Sequence, residues 1–335
     1  MTDRIESEGQ WISDVLQPLV RLPGAFDLKD DCATLAPLEG NAFVFKTDPV
    51  RAGVHFHADE DPAAIAWKAL AVGVSDLAAK AARPVAYLMS VSFPEAPSRA
   101  WADAFGEGLA AAQAQFGLSL VGGDTDRASG PLSLSATVIG EIPTGRTVLR
   151  TGAKAGDRIF VSGTLGAGAI GLALREGAIA IDDAARSDDD RAILTAARDR
   201  YLRPEPRLAL RAALRRSATA AMDISDGLVK DAGRLCAASQ VGAEIAWPHL
   251  PVDAAVRLAH GDDDASRMQA AAGHGDDYEI LATVPPDSAA EFARLATAAG
   301  IEVTDVGVCT ASGGARLLDK DGREIAIPQA GYDHF

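Results

Sequence analysis

Residues 220–242, AAMDISDGLVKDAGRLCAASQVG, read as a strand that breaks at Asp223, a Ser-Asp-Gly turn, and a helix opened by Asp226 and ended near Gly242. Asp226 is accounted for as a helix N-cap. Asp223 is not, because it interrupts an apolar run. Alternation puts Asp223 and Ser225 on one face if the strand persists. Ser225 would then meet a phosphate near the helix N-terminus. Working outward, further strands are expected at 41–48, 85–93, 118–121, 132–142, 158–162 and 280–284. Helices are expected at 61–82, 98–116, 207–215 and 288–299, with a ragged amphipathic helix over 1–22. The first half reads β-α-β-α-β-β. Alternation of strands and helices through both halves indicates an α/β or α+β fold. Residues 143–157 (PTGRTVLRTGAKAGD) lack strong periodicity, which divides the chain into 1–145 and 146–335.

With 335 residues the chain is long enough for two domains. A net charge of −15 argues against a nucleic-acid or anionic-membrane surface. It leaves phosphate ligands open, since bound Mg²⁺ inverts the local field. Cys32, Cys236 and Cys309 show no CxxC spacing, and the six His are scattered. A zinc cage and a disulfide framework are therefore not expected, and a reducing, cytoplasmic setting fits. The start, MTDRIESEGQ, is acidic and polar rather than a secretory signal, and no apolar run is expected to span a membrane.

Acids also recur where apolar runs break: Phe43–Asp48 (FVFKTD), Val72–Asp76 (VGVSD) and Leu118–Asp124 (LSLVGGD). Carboxylates aimed at one spot repel unless cations lie between them. Mg²⁺ takes one or two carboxylates and completes its shell with water and phosphate oxygens, so the pattern suggests a multi-metal polyphosphate site. Thr47-Asp48 offers a hydroxyl beside a carboxylate. Asp76 lies in a mostly apolar helix, where it is either solvent-facing or neutralised by a partner. Gly122-Gly123 would let a phosphate approach backbone N–H groups. The bland alternative is a Gly-rich turn with an Asx cap. Lys29–Ala33 (KDDCA) reads as a turn or a metal contact. Gly275–Glu279 (GDDYE) reads as a cation site or an exposed loop.

Gly166–Gly171 matches GxGxxG, but a tight strand–helix turn with close packing fits better than dinucleotide binding. Residues 182–190 (DDAARSDDD) and 261–264 (GDDD) read as solvated acidic stretches. Arg150 and Lys154 either contact phosphate or pair with nearby acids. For Arg203 and Arg207, surface pairing is the simpler account. His55 or His57 fits a ligand contact as well as zinc.

The series DDCA (30–33), TDPVRAGVHF (47–56), KALAVGVSDLAAKAARP (68–84), GGDT (122–125), RTGAKAGDRIFVSG (150–163), RPEPRL (203–208), MDISDGL (222–228), GDDYE (275–279) and GYDHF (331–335) resembles the thiamine-monophosphate kinase family. That family lies within the aminoimidazole ribonucleotide synthetase-like superfamily. The resemblance implies an N-terminal ferredoxin-like ATP- and Mg²⁺-binding domain that dimerises, followed by a C-terminal α/β domain. It implies a homodimer that transfers the ATP γ-phosphoryl to thiamine monophosphate. Asp31, Thr47, Asp48, Asp76, Asp124, Asp223 and Asp226 are implied as Mg²⁺ ligands. Gly123, Asp124, Arg150 and Ser225 are implied at ATP, and His55 and Asp276 at thiamine monophosphate.

Where Lys46 stands the family commonly has Ser as a metal ligand. Lys46 would contribute through its carbonyl, or its ammonium would replace a cation. Lys29 stands for a common Gly, Gly73 for a frequent Asn, Asp276 for Glu, and Gln329 for an aromatic substrate contact. The acceptor is already an anion, so no strong base or covalent nucleophile is expected, and catalysis should rest on positioning and charge neutralisation. Two alternatives are another ATP-dependent enzyme of the superfamily with a different acceptor, and a non-catalytic nucleotide-binding dimer.

Overall fold

In the computed structural model of the chain, residues 4–30, 32–181, 186–311 and 313–332 are described. The chain forms two compact units, Met1–Leu77 with Ala82–Gly145, and Ala78–Ala81 with Arg146–Phe335.

The first unit is built on β1 (Asn41–Arg51), α1 (Pro62–Ala79), β2 (Arg83–Phe93), α2 (Arg99–Phe116), β3 (Leu120–Arg127) and β4 (Ser133–Pro143). The strands form one sheet in the order β1-β4-β2-β3. β4 runs antiparallel to β1 and β2, and β3 runs parallel to β2. Pro62 takes the first position of α1, where its missing N–H is harmless. Ser98 caps α2 by accepting from the Trp101 N–H at 3.1 Å, and left-handed Gly117 ends it. Helix α1 has the length and hydropathy of a membrane span (mean 1.2), contrary to expectation, but 78% of it is buried. Its apolar surface serves as core: a Cβ on Gly73 would meet Val138 of β4 at 2.9 Å.

The expected helix over 1–22 is broken instead into Glu8–Trp11, a wider turn Ile12–Leu16 and Gln17–Leu19. Pro18 cannot supply an N–H for a continuing helix. Trp11 is anchored against Phe93 and Phe105, with ring centroids 5.2 and 5.9 Å away.

The second unit holds a seven-stranded sheet, β11-β10-β7-β9-β5-β8-β6. Its strands are β5 (Arg158–Ser162), β6 (Ala220–Ile224), β7 (Gly242–Ala246), β8 (Glu279–Val284), β9 (Val303–Thr310), β10 (Ala315–Leu318) and β11 (Glu324–Ile325). Its main helices are α3 (Ala167–Arg175), α4 (Asp188–Leu202), α5 (Arg211–Ser217), α6 (Leu228–Ser239), α7 (Ala254–His260) and α8 (Ala289–Ala298). The strand expectations missed β7, β9, β10 and β11.

The acidic stretch 182–190 ends at a helix terminus: Asp188–Asp190 open α4, with a reciprocal cap between Ser187 and Asp190 at 3.0 and 3.1 Å. Residues 182–185 lie outside the described residues. In 261–264, Asp263 caps a short helix from Asp264 to Met268.

Candidate functional site

In the first unit, side chains alternate across β1. Lys46 and Asp48 lie opposite Val138 and Ala136, on the face that α1 covers. Asp76 comes from α1. The Lys46 ammonium lies 2.9 Å from Asp48 Oδ1 and 2.8 Å from Asp76 Oδ2. Burial pulls the Lys46 pKa down, but the Asp76 charge and the hydrogen bonds to Asp76 and Asp48 outweigh it and hold the pKa well above the usual lysine range. Burial pushes the Asp48 carboxyl up, Lys46 opposes this, and the Asp76 charge adds to it. The apolar-helix puzzle of Asp76 is thus answered by a neutralising partner. Lys46 is not a side-chain metal ligand here, because a protonated ammonium has no lone pair to give.

Thr47 points to the opposite face, where its hydroxyl accepts from Thr137 Oγ1 at 3.0 Å. Its side chain is therefore not gathered with Asp48. His55 follows in the turn after β1, and its Nδ1 accepts from the Arg51 N–H at 3.1 Å.

On the sheet face opposite α1, a cleft of about 930 Å³ brings Lys29, Asp30, Cys32 and Ala33 together with Gly122–Thr125, Phe45 and Leu88. The KDDCA and GGDT motifs therefore meet, although Asp31 itself lies outside the described residues. The two glycines are not a loop after the strand, as expected, but lie within β3 beside a register shift in β2. A Cβ on Gly123 would sit 1.9 Å from the Met89 carbonyl oxygen, so glycine is required by the close approach of β2. Asp124 Oδ1 accepts from the Thr125 N–H at 2.9 Å.

Asp124 is not gathered with Asp48 and Asp76. Asp48 pairs with Ala136, Ala136 with Met89, and Met89 with Gly123. Three strand spacings, roughly 14 Å, therefore separate the two motifs within one chain.

In the second unit, β6 ends at Ile224, before the turn that carries Ser225. Asp223 is buried on β6 opposite Ile280. Asp226 is not the cap of α6. It pairs with Arg234 at 2.6 Å and Lys230 at 3.5 Å. The turn is held by Asp231, whose Oδ2 accepts from the Ser225 and Asp226 N–H groups at 3.0 and 2.9 Å. Burial pushes the Asp231 carboxyl up; the Asp226 N–H and Arg234 oppose that, while the Asp226 charge reinforces it. Asp231 was missed from the sequence. Its signal was its place on the buried stripe of α6, between Leu228 and Leu235.

The GDDYE segment docks on the same turn. The Asp276 and Tyr278 N–H groups donate to the Ser225 and Ile224 carbonyls, each at 2.9 Å. Both residues are left-handed, with φ of 66° and 53°. Tyr278 donates its hydroxyl proton to Asp276 Oδ1 at 2.8 Å.

Its acids do not form one cation cluster. Asp277 accepts from the Gly166 N–H (2.9 and 3.0 Å) and the Gly168 N–H (3.1 Å). The N-terminus of α3 is thus filled by the chain's own carboxylate, and GxGxxG is a packing turn. A Cβ on Gly168 would lie 2.5 Å from the Asp276 oxygen. Burial pushes Asp277 up to about 7, against the pull of the Gly166 N–H and Arg200. Glu279 is fully buried and accepts from Ser162 Oγ (2.5 Å), Arg200 Nη2 (2.5 Å) and Arg207 Nε (2.7 Å). Arg207 is therefore an internal ion-pair partner, not a surface one.

Arg150 is exposed, and its carbonyl accepts from Ser239 Oγ at 3.1 Å. Gln329 is exposed and exchanges hydrogen bonds with Gln269, at 2.9 and 3.3 Å. The Tyr332 N–H donates to the Asp226 carbonyl at 3.0 Å, so the chain's end reaches the same turn. Residues 333–335 lie outside the described residues.

Among the described residues, no three His, Cys, Asp or Glu side chains gather to hold a metal ion. Mg²⁺ does not require such a cage, since it takes one or two carboxylates alongside water and phosphate. The partly exposed Asp48–Asp76 pair fits that donor set.

Residues 29–142 match the family described as AIR synthase related protein, N-terminal domain, and residues 154–320 match its C-terminal domain. A thiamine-monophosphate kinase of Caulobacter vibrioides is 40% identical over 332 residues, covering 98% of this chain and 91% of that one. The chain belongs to the thiamine-monophosphate kinase family. The crystal structure of the Stenotrophomonas maltophilia thiamine-monophosphate kinase is 39% identical, with a TM-score of 0.78, covering 89% of this chain and 91% of that one. A further kinase structure, AaThiL complexed with AMPPCP and TMP, is 30% identical with a TM-score of 0.76, covering 94% and 99%. The kinase fold is thus shared over nearly the full chain.

Proposed function

We propose that this chain is an ATP-dependent thiamine-monophosphate kinase that forms thiamine diphosphate by direct in-line phosphoryl transfer. The observation that carries this reading is the near full-length kinase relationship, together with a related complex that holds AMPPCP and TMP. The chemistry of the side chains agrees with it. Residues 1–145 form the ATP- and Mg²⁺-binding domain that dimerises, and residues 146–335 form the C-terminal domain.

Asp31, Asp48, Asp76, Asp124, Asp223 and Asp226 supply carboxylates for Mg²⁺, and Thr47 contributes through its backbone. Bound Mg²⁺ would neutralise charge as two polyanions approach. Gly123 and Asp124 meet ATP, and Arg150 and Ser225 add donors for its phosphates. His55 contacts thiamine monophosphate. Asp276 attracts the cationic thiazolium, its orientation set by Tyr278. Gln329 stands at the edge of the acceptor site. No residue acts as a nucleophile.

We place this activity in a homodimer. Phe45 and Leu88 are large apolar side chains 64% and 38% exposed on the open sheet face. A second copy covering that face would bury them. The free cysteines agree with a cytoplasmic location.

The test is ATP consumption with and without thiamine monophosphate, with the product identified by mass. ADP and thiamine diphosphate should form together, and only when thiamine monophosphate is present. ATP turnover indifferent to thiamine monophosphate overturns the proposal in favour of a different acceptor. ATP binding without turnover favours a non-catalytic dimer.

A further inference from the structure

The fold places Lys46 between two acids proposed for the phosphate site, Asp48 and Asp76. Its Nζ touches an oxygen of each, at 2.9 and 2.8 Å, so those oxygens lie within about 6 Å of one another. The three side chains are 34%, 26% and 21% exposed, so the ammonium is neither a surface charge nor sealed from a ligand. Strand β1 fixes Lys46 and Asp48 on one face, and α1 brings Asp76 over them. Gly73 lies one turn before Asp76, and a Cβ there would be 3.6 Å from Asp48 Oδ2, so α1 runs close above the pair. Without a cation between them, two carboxylates at this spacing would repel, and each would lose solvation to the helix.

We propose that the Lys46 ammonium is a tethered cation that stands in for one divalent ion between Asp48 and Asp76. This inference rests on the proposed Mg²⁺–phosphate reading of the site. An ammonium has three donors. Two are used by Asp48 and Asp76, and the third is left for a phosphate oxygen, which lysine binds as a point charge. A cation covalently attached to β1 stays in place when Mg²⁺ is scarce and does not leave with the product. The chain would thus assemble its polyphosphate site with one Mg²⁺ fewer than a chain with a small neutral residue at position 46. Asp48 and Asp76 would retain their outer oxygens for the remaining ions.

The test counts ions rather than turnover. Metal-free wild-type, Lys46→Ser and Lys46→Arg proteins are titrated with Mn²⁺ in the presence of AMPPCP, and bound Mn²⁺ per chain is read by electron paramagnetic resonance. Lys46→Ser should bind one ion more than wild type, and Lys46→Arg, which keeps the charge, should match wild type. Thermal unfolding gives a second readout without nucleotide. In chelator, Lys46→Ser should melt below wild type and recover when Mg²⁺ is added, while wild type shifts little. Equal Mn²⁺ counts in wild type and Lys46→Ser, with Mn²⁺ bound in both, overturn the tethered-cation role and leave the kinase site standing. No Mn²⁺ bound in any of the three overturns both readings.

Discussion

The Asp276 N–H donates to the Ser225 carbonyl at 2.9 Å, which ties the residue proposed for the thiazolium to the turn proposed for the ATP phosphates. Asp276 is held in a left-handed conformation and braced by the Tyr278 hydroxyl. Its carboxylate is therefore positioned before any ligand arrives. Asp276→Asn keeps the shape and removes the charge. The expected outcome is a rise of about tenfold in KM for thiamine monophosphate with little change in KM for ATP. Steady-state kinetics with each substrate varied in turn checks this, and an unchanged KM for thiamine monophosphate refutes the charge role.

The β1-β4-β2-β3 order gives the dimer proposal a direct test. Asp48→Asn and Asp124→Asn should each lower turnover by orders of magnitude while the fold survives. If each site draws Asp48 from one chain and Asp124 from the other, a mixed dimer of the two variants contains one intact site. Co-refolding the two inactive proteins should then restore up to about half of wild-type activity per mixed dimer. No recovery in a verified mixed dimer would show that the two acids act from a single chain.

Asp277 makes stability pH-dependent. Its folded pKa is near 7, above the ordinary carboxyl value, so the fold binds that proton more tightly than the unfolded chain does. The stabilisation is full below about pH 4 and is lost as the pH rises through about 7. Asp277→Asn retains an acceptor for the Gly166 and Gly168 N–H groups but has no proton to lose. Urea unfolding at several pH values should show wild type losing about 2–4 kcal/mol relative to this variant between pH 4 and 7. Parallel pH profiles for the two proteins would disprove this.

Glu279 is fully buried between Arg200 and Arg207. Glu279→Gln leaves two guanidinium groups without their counter-charge in the interior. The expected loss is about 3–5 kcal/mol of unfolding free energy, read from the urea midpoint. A change below about 1 kcal/mol would mean that water or relaxation compensates the arginines.

Much of the fold was legible along the chain because its signals are local. Pro62, Ser98, Gly117 and the apolar run 220–224 mark their own element boundaries. The shortest strands, β10 and β11, were not visible, since two to four residues give too little periodicity to separate strand from loop, while Glu244 in β7 and Asp305 and Gly307 in β9 break the apolar runs that marked the other strands. They gain identity from neighbours far away in sequence, as when β7 pairs with β9 and β10.

The sequence alone determined which acids interrupt apolar runs, that the two halves alternate strands and helices, and which family the ordered motifs resemble. Those are properties of neighbours along the chain and of their order. Only the tertiary structure decided which acids have partners. It gave Asp277 to two backbone amides, Glu279 to two arginines, Asp48 and Asp76 to Lys46, and it set Asp124 three strands away. The reason is that a charge is neutralised by whatever lies within a few ångströms of it, and sheet register and helix docking, not sequence distance, choose that neighbour.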